Sequence, residues 1–214
     1  MFDGQAQGWE PFVTRRHGNH FADTISREAR EQYEALISEM PYIGGDENPM
    51  TRQLLLAATN LAFYKAMKAR GKTARETGKI VYDALVKRFS QHPVSPARAL
   101  TPEEIHDNHE RATRSQDRRY PGDWVSEFFV GDGVEFDYGW DTLECGVQKL
   151  YHAHGADEFL PYVCFLDFVI IPRRGWGFAR TMTLAEGYEK CDFRYQVGGG
   201  AEREWPPPFP EEAD

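Results

Sequence analysis

The stretch Val125–Gly139, VSEFFVGDGVEFDYG, separates two parts of the chain that differ in character. Two short runs of strand-forming residues, 125–130 and 134–139, flank Gly131-Asp132-Gly133, a combination typical of a β-hairpin. Upstream of this stretch the apolar residues recur at helical spacing, and downstream helical and alternating runs are mixed. The sequence therefore predicts an antiparallel hairpin that opens a C-terminal part built from strands and helices.

Upstream, three helices are predicted after an irregular start. The first, Thr24–Met40, has few helix breakers, and the second runs from about Leu54 until Gly71. Thr73 with Glu76 fits a capping box that begins the third helix. This N-terminal part is predicted to be structural.

Downstream, the helices Leu143–His154 and Glu158–Ile171 are predicted to follow the hairpin. Two alternating runs, Phe178–Ala185 and Cys191–Val197, then predict a second hairpin. The fold class is thus α+β, an N-terminal helical part packed on an antiparallel sheet in the order strand, strand, helix, helix, strand, strand. The predicted divisions are a helical part (1–91), a linker with a short helix (92–122), a ligand-binding or catalytic part (123–197) and a flexible proline-rich tail (198–214).

Composition excludes several classes of protein. The 214 residues carry a formal charge of -9, which disfavours binding to nucleic acid, because such binding depends on clustered Lys and Arg. No apolar run reaches the roughly 18 residues of a membrane span, and the N-terminus lacks the features of a signal peptide. The three cysteines are too few and of odd number for a disulfide framework. We expect a cytoplasmic protein with free thiols, and the sequence leaves a homo-oligomer open.

Asp141 and Glu144 are the first candidate catalytic residues. They lie three residues apart where a strand is predicted to meet a helix, so the two carboxylates could bind a cationic group or activate water. The same spacing before a helix also fits a capping box, in which both would serve only the helix terminus. The sequence favours neither interpretation.

The cysteines supply candidate nucleophiles. Cys145 is predicted in the first turn of a helix, where the helix dipole lowers a thiol pKa, and Lys149 one turn later could add to this effect. Cys191 begins the last predicted strand, and Cys164 is predicted to serve packing in an apolar helix. Because neighbouring strand residues alternate, either Cys191 or the pair Asp192 and Arg194 can face a pocket.

Substrate-binding residues are predicted on the same elements. Arg180 and Arg194, from the two strands of the last hairpin, could clamp a carboxylate with their guanidinium groups, or could pair with acids across the strands. The other candidates for substrate binding are Lys149, Tyr138, Thr183 and Asp192. The histidines at 106, 109, 152 and 154 lack the spacing of a metal site, and the sequence contains no phosphate-binding glycine loop or nucleophile elbow, so no cofactor and no metal are predicted.

Three segments resemble the L-2-amino-thiazoline-4-carboxylic acid hydrolase family: FDYGWDTLECGVQKLYHAHGADEFLPYVCFLDFV (136–169), GFARTMTLAEGYEKCDFR (177–194) and LAFYKAMKARGKTARETGKIVYDAL (61–85). The likeness covers roughly residues 50 to 197. Residues from PYVC through TLAEGYEKCDFR also resemble the vinyl-reductase type of small-molecule-binding module.

The family resemblance implies hydrolytic opening of a cyclic amidine-like ring that bears a carboxylate, as in bacterial cysteine metabolism. Attack on the ring by a thiolate of Cys191 or Cys145, or by carboxylate-activated water, is then expected. The alternatives are a non-catalytic module that binds a small molecule in the same pocket and, more weakly, a cysteine-based metal site.

Overall fold

The computed structural model describes residues 2–91, 93–94, 96–201 and 205. Its elements in chain order are α1 (Phe2–His17), α2 (Asn19–Glu39), α3 (Met50–Ala69), α4 (Ala74–Ser90), α5 (Pro102–Ser115), β1 (Val125–Val130), β2 (Tyr138–Glu144), α6 (Gly146–Ala153), α7 (Leu160–Phe165), α8 (Asp167–Arg173), β3 (Trp176–Ala179) and β4 (Cys191–Val197), with short 3₁₀ turns at Gly45–Glu47, Asp157–Phe159 and Leu184–Glu186. The predicted α+β class is confirmed. Most of the predicted flexible tail, residues 202–204 and 206–214, lies outside the described residues.

The chain forms two compact units. The helical unit contains residues 1–92, 120–122 and 146–166, and thus α1 to α4, α6 and α7. The sheet unit contains residues 93–119, 123–145 and 167–214, and thus α5, α8 and all four strands. The chain leaves the sheet unit after β2 and returns to it at α8.

The expectation of an irregular start is wrong, because residues 2–17 form α1. Phe2, Ala6, Trp9 and Val13 are buried along one side of this helix, and the Trp9 ring stacks on Phe63 with centroids 4.3 Å apart. Burial of this stripe outweighs the low helix propensity of two glycines and a proline.

The other N-terminal helices begin and end near the predicted residues. The Thr73 hydroxyl accepts a hydrogen bond from the Glu76 amide at the start of α4. Thr101 and Glu104 form a complete capping box at the start of α5, with a proline in its first turn. Because each cap lies within four residues, the starts of α4 and α5 can be predicted from local sequence alone.

The prediction of one continuous helix over Glu158–Ile171 is wrong. It consists of a 3₁₀ turn followed by α7 and α8, which are separated at Leu166. α7 belongs to the helical unit and α8 to the sheet unit. A run of residues that is apolar nearly all round can fill two cores in succession, and its periodicity does not show where one core ends.

The sheet has the strand order β1-β2-β4-β3, and all three pairings are antiparallel. The two predicted hairpins are therefore joined side by side through β2 and β4. Two strands differ from prediction. The second spans 138–144 instead of 134–139, and β3 spans Trp176–Ala179 instead of 178–185. Asp141 and Glu144 consequently lie within a strand, not at a helix start.

Candidate active site

One face of the sheet is rich in aromatic side chains. Cross-strand partners project to the same face, and the register pairs Tyr138 with Tyr195 and Trp140 with Phe193. This surface, called the aromatic face here, carries Phe128, Tyr138, Trp140, Thr142, Phe178, Cys191, Phe193 and Tyr195. The sequence left open which set of β4 residues faces a pocket, and the structure puts Cys191 among the aromatic rings.

Two helices cover the edges of the aromatic face. On α5 the His109 ring contacts Phe128 at 4.9 Å between centroids, and on α8 the Phe168 ring contacts Phe178 at 4.8 Å. The aromatic side chains of the two central strands, Tyr138, Trp140, Phe193 and Tyr195, remain half-buried. The centre of the face is therefore a half-buried aromatic surface within the sheet unit, flanked by α5 and α8, and we interpret it as the floor of a cleft.

A buried ion pair lies beside this floor. The Arg180 Nη1 donates to Oδ2 of Asp167 at 2.7 Å, and the arginine side chain is only 3% exposed against 27% for the carboxylate. The guanidinium lies 5.1 Å from the centroid of the Phe193 ring and 5.4 Å from that of Phe168. Burial raises the pKa of the Asp167 carboxyl, and the Arg180 charge offsets part of that rise.

Cys191 is buried near the same pair. Its Sγ accepts a hydrogen bond from the Leu184 amide at 3.2 Å. Burial raises the pKa of this thiol to about 11, and the charges of Arg180 and Asp167 act on it in opposite directions. The thiol is therefore protonated at neutral pH, and attack by its sulfur would require a neighbouring base.

Tyr138 and Tyr195 form a stacked pair on the floor of the cleft. Their ring centroids are 4.6 Å apart and their planes differ by 4°. Burial raises the pKa of Tyr138 to about 12 and raises the pKa of Tyr195 further. Both phenols thus keep their protons and can donate hydrogen bonds to a ligand over a flat apolar surface.

Asp141 points to the opposite face of the sheet. Its carboxylate accepts hydrogen bonds from Lys190 Nζ at 2.6 Å and from Arg194 Nη1 at 2.8 Å. The Arg194 guanidinium also lies 4.5 Å from the centroid of the Phe129 ring, on that same face. Arg180 and Arg194 therefore do not converge on one ligand, and the predicted two-arginine clamp is not formed in this structure.

Glu144 is likewise separated from Asp141. Residues three apart in a strand project to opposite faces, and Glu144 accepts a hydrogen bond from Arg118 Nε at 2.7 Å. The two carboxylates do not make a pair. A capping box also requires both residues at a helix start, and α6 begins only at Gly146.

Two further candidates stabilise the connection between β3 and β4. The Asp192 carboxylate accepts hydrogen bonds from the amides of Thr181 and Met182 and from the Thr181 hydroxyl, at 2.6 to 2.8 Å. The Thr183 hydroxyl accepts from the Glu186 amide at 3.1 Å and donates to its carboxylate. Asp192 and Thr183 therefore stabilise the loop between β3 and β4.

The remaining candidates lie elsewhere along the chain. Cys145 is half-buried between the last residue of β2 and the first of α6, and Cys164 is half-buried in α7. The Lys149 ammonium donates to the Pro121 carbonyl at 2.9 Å.

Within the described residues, no group of three or more His, Cys, Asp or Glu side chains could hold a metal ion. None of the described helices is long and apolar enough to cross a membrane.

Sequence reasoning missed two residues of the cleft. Asp167 interrupts an apolar run and Arg111 lies in a stretch of mixed basic and acidic residues, and neither was predicted as a site residue from the sequence. An acid inside an otherwise apolar helix is itself a signal, since burial of a carboxylate without a function or a partner is costly. Arg111 carries no such local signal, because only the sheet register brings Trp140 beneath it.

The fold and cleft define an α+β protein with an aromatic cleft floor, a buried carboxylate–guanidinium pair and a neighbouring thiol. The model of the L-2-amino-thiazoline-4-carboxylic acid hydrolase family matches residues 51–195, more than half of the chain. The chain belongs to that family. Comparison with curated proteins and with solved structures gave no significant match.

Proposed function

We propose that the protein is a hydrolase that opens a small cyclic amidine-like or lactam-like ring, of the 2-aminothiazoline-4-carboxylate type. Membership of the family supports this class of reaction. The observation that carries the proposal is the buried Asp167–Arg180 pair, whose charges both act on the Cys191 thiol. A carboxyl with a raised pKa is a stronger base than an ordinary aspartate and suits proton transfer near neutral pH.

The cleft floor accounts for binding of the ring. A small planar ring stacks on Tyr138 or Tyr195, and aromatic stacking favours such an offset arrangement. The Arg180 guanidinium holds the Asp167 carboxylate at the edge of this floor through its hydrogen bond. Positioning of the base next to a stacked ring lowers the entropic part of the barrier.

In the proposed reaction, Asp167 activates a water molecule. The water oxygen bonds to the ring carbon between nitrogen and sulfur, and Asp167 takes one proton, which gives a tetrahedral intermediate. The carbon–sulfur bond then breaks, the proton passes from Asp167 to the departing sulfur, and the second water proton moves from the new hydroxyl oxygen to the ring nitrogen. The product carries a carbamoyl nitrogen and a free thiol. In a variant of this scheme, Asp167 takes the proton of Cys191, whose sulfur bonds to the same carbon and displaces the ring sulfur, which takes the proton from Asp167. Water then hydrolyses the bond between that carbon and Cys191, which restores the thiol.

A non-catalytic module that binds a small molecule is the second candidate. The structural engagement of Asp141, Asp192 and Thr183 favours it, because these residues contribute hydrogen bonds to the fold and none to the cleft. In that case the same aromatic floor and charged groups would select a ligand without turning it over.

Turnover assays separate the two candidates. The purified protein is incubated with cyclic amidines and lactams that carry a carboxylate, and products are identified by mass spectrometry for the wild type and for Asp167→Asn, Cys191→Ala and Cys145→Ala. Asp141→Asn is the matched control, since this carboxylate lies on the opposite face of the sheet. Loss of turnover in Asp167→Asn but not in Asp141→Asn is expected. Tight binding without turnover across the panel would support the binding module instead.

We further infer a cytoplasmic bacterial setting in cysteine metabolism, with a carboxylate-bearing small molecule as the substrate and with neither nucleic acid nor membrane as a partner. The free thiols of all three cysteines and the charge of -9 support this inference. Elemental analysis of the purified protein tests the absence of a metal, since stoichiometric zinc would contradict it.

A further inference from the structure

A substrate that bears a carboxylate needs a cation that is accessible from the cleft. Arg180 is enclosed and its charge is matched by Asp167, and Arg194 is held by Asp141 on the opposite face. A guanidinium already paired with a carboxylate gains little by binding a second one, because its charge is largely compensated. The cation for the substrate must therefore be sought elsewhere on the rim of the cleft.

Arg111 has the required position. It projects from α5 so that its guanidinium lies 4.5 Å from the centroid of the Trp140 ring, on the aromatic face. The residue is exposed to solvent, and its hydrogen bond to the Asn108 side-chain oxygen is long, at 3.2 Å. A guanidinium stacked on an aromatic face keeps its edge free to donate two parallel hydrogen bonds.

No carboxylate neutralises Arg111 within the part of the chain that the structure describes. The nearest acid in the sequence of α5, Glu110, pairs with Arg114 at 3.1 Å, and Glu104 pairs with Arg98 at 2.7 Å. Burial of the guanidinium against the aromatic face lowers the pKa of Arg111, and the groups that oppose this shift are the phenols of Tyr195 and Tyr138 and no carboxylate. An anion bound there would relieve that cost.

The charge of Arg174 also acts on this floor, at the two stacked tyrosines. This residue follows α8 and precedes Trp176, whose ring meets Tyr138 edge to face at 5.0 Å. Arg174 is exposed, and among the described residues it forms no ion pair, although its charge lowers the pKa of the Asp167 carboxyl. The positive charges of Arg174 and Arg111 both act on the phenol of Tyr138 and favour its ionised form, against the effect of burial on its pKa.

We propose that Arg111, assisted by Arg174 across the Tyr138 ring, binds the carboxylate of the substrate and makes the cleft selective for anionic rings. This inference rests on the proposed function, because it assigns the substrate's charged group to a part of the same cleft. In place of the clamp of Arg180 and Arg194 that the sequence predicted, it assigns the carboxylate to two arginines without a carboxylate partner among the described residues. Arg111 is a specificity-determining residue in this scheme, and the ring chemistry stays with Asp167.

Equilibrium binding of an aromatic analogue tests the inference independently of turnover. The probes are 2-aminothiazole-4-carboxylate and its carboxamide, which share the ring and differ in charge, with calorimetry as the readout. Wild type, Arg111→Gln, Arg111→Lys and Arg174→Gln are compared. Arg114→Gln is the matched control, since this arginine also lies on α5 but pairs with Glu110. Thermal unfolding verifies that each variant is folded.

The wild type is expected to prefer the carboxylate, and Arg111→Gln to weaken carboxylate binding by about tenfold or more with little change for the carboxamide. Arg111→Lys should recover part of the loss, since it restores charge without the planar fork. Equal weakening of both probes, or none, would overturn the inference. If the protein shows no turnover but its preference for the carboxylate depends on Arg111, this inference stands and only the hydrolase proposal is refuted.

Discussion

The Arg180 guanidinium lies against the Asp167 carboxylate and three aromatic rings. Removal of its partner in Asp167→Asn leaves a charge in an enclosed site, so we expect the free energy of unfolding to fall by about 3 kcal/mol. The double variant Asp167→Leu with Arg180→Met removes both charges and should recover most of that stability. Urea denaturation of the three proteins measures this.

The same variants separate structure from chemistry. If Asp167 transfers protons, the stable double variant is still inactive in the turnover assay. Retained turnover in the double variant would mean that the pair only stabilises the fold.

Cys191 supplies a prediction on alkaline stability. The folded thiol has a pKa near 11 against an ordinary 9.0, so it holds its proton more tightly than the unfolded thiol. Its stabilising contribution is therefore complete below pH 9.0 and is lost as the pH rises through about 11. We expect the wild type to lose on the order of 2 kcal/mol more stability over this range than Cys191→Ala.

Urea denaturation at both ends of this pH range gives the difference directly. The tyrosines with raised pKa values titrate in both proteins, so their effect cancels in the comparison. Parallel losses in the wild type and the variant would show that the thiol is not shielded.

Residue types were more predictable than residue neighbours. Cys191 and Arg180 could be named as candidate site residues from the sequence, because their types and motif context indicate chemistry. The separation of Asp141 from Glu144 could not be predicted, since it depends on where β2 ends. A strand that continues for five residues beyond the predicted end at Gly139 converts a presumed helix cap into two side chains on opposite faces.

Elements with local caps were predictable, whereas elements that depend on distant packing were not. α4 and α5 begin at threonines whose side chains bind the helix amides, a signal contained within four residues. α1 has no such signal and depends on contacts such as that of Trp9 with Phe63. Likewise, α7 and α8 are separate helices because α7 packs within the helical unit and α8 within the sheet unit.

The packing of α4 against α7 depends on a glycine. A Cβ at Gly78 would lie 2.6 Å from the Cβ of Tyr162, closer than side chains can approach. Gly78→Ala should therefore lower the free energy of unfolding by about 1 to 3 kcal/mol, because the helices must move apart. Chemical denaturation of the purified variant measures this loss.

Gly8→Ala is the matched control. A Cβ at Gly8 in α1 would meet its nearest atom, on Ala84, at 4.0 Å, so the substitution should be neutral or stabilising through its higher helix propensity. A Gly78→Ala protein as stable as Gly8→Ala would show that α4 and α7 are not in close contact.

At the scale of the whole molecule, the chain path makes the helical unit depend on a distant segment. Residues 146–166 belong to the helical unit, although the segments on either side of them belong to the sheet unit. The Tyr151 hydroxyl donates to the Ala57 carbonyl at 3.0 Å, and the Phe159 ring stacks on Tyr64 with centroids 4.4 Å apart. Neither sequence half should fold independently, because residues 1–92 alone lack these two fully buried rings.

A cut in the exposed segment after α4 tests this dependence. A protease recognition sequence inserted after Val94, which is 53% exposed, divides the chain without removing a helix or strand. We expect the two fragments to elute together in size-exclusion chromatography and to separate only in denaturant. The same cut in a Phe159→Ala protein should weaken the association markedly, because loss of a fully buried phenylalanine costs about 3 to 5 kcal/mol. Fragments that separate without denaturant and each unfold cooperatively would contradict this chain path, since each half would then complete its own core.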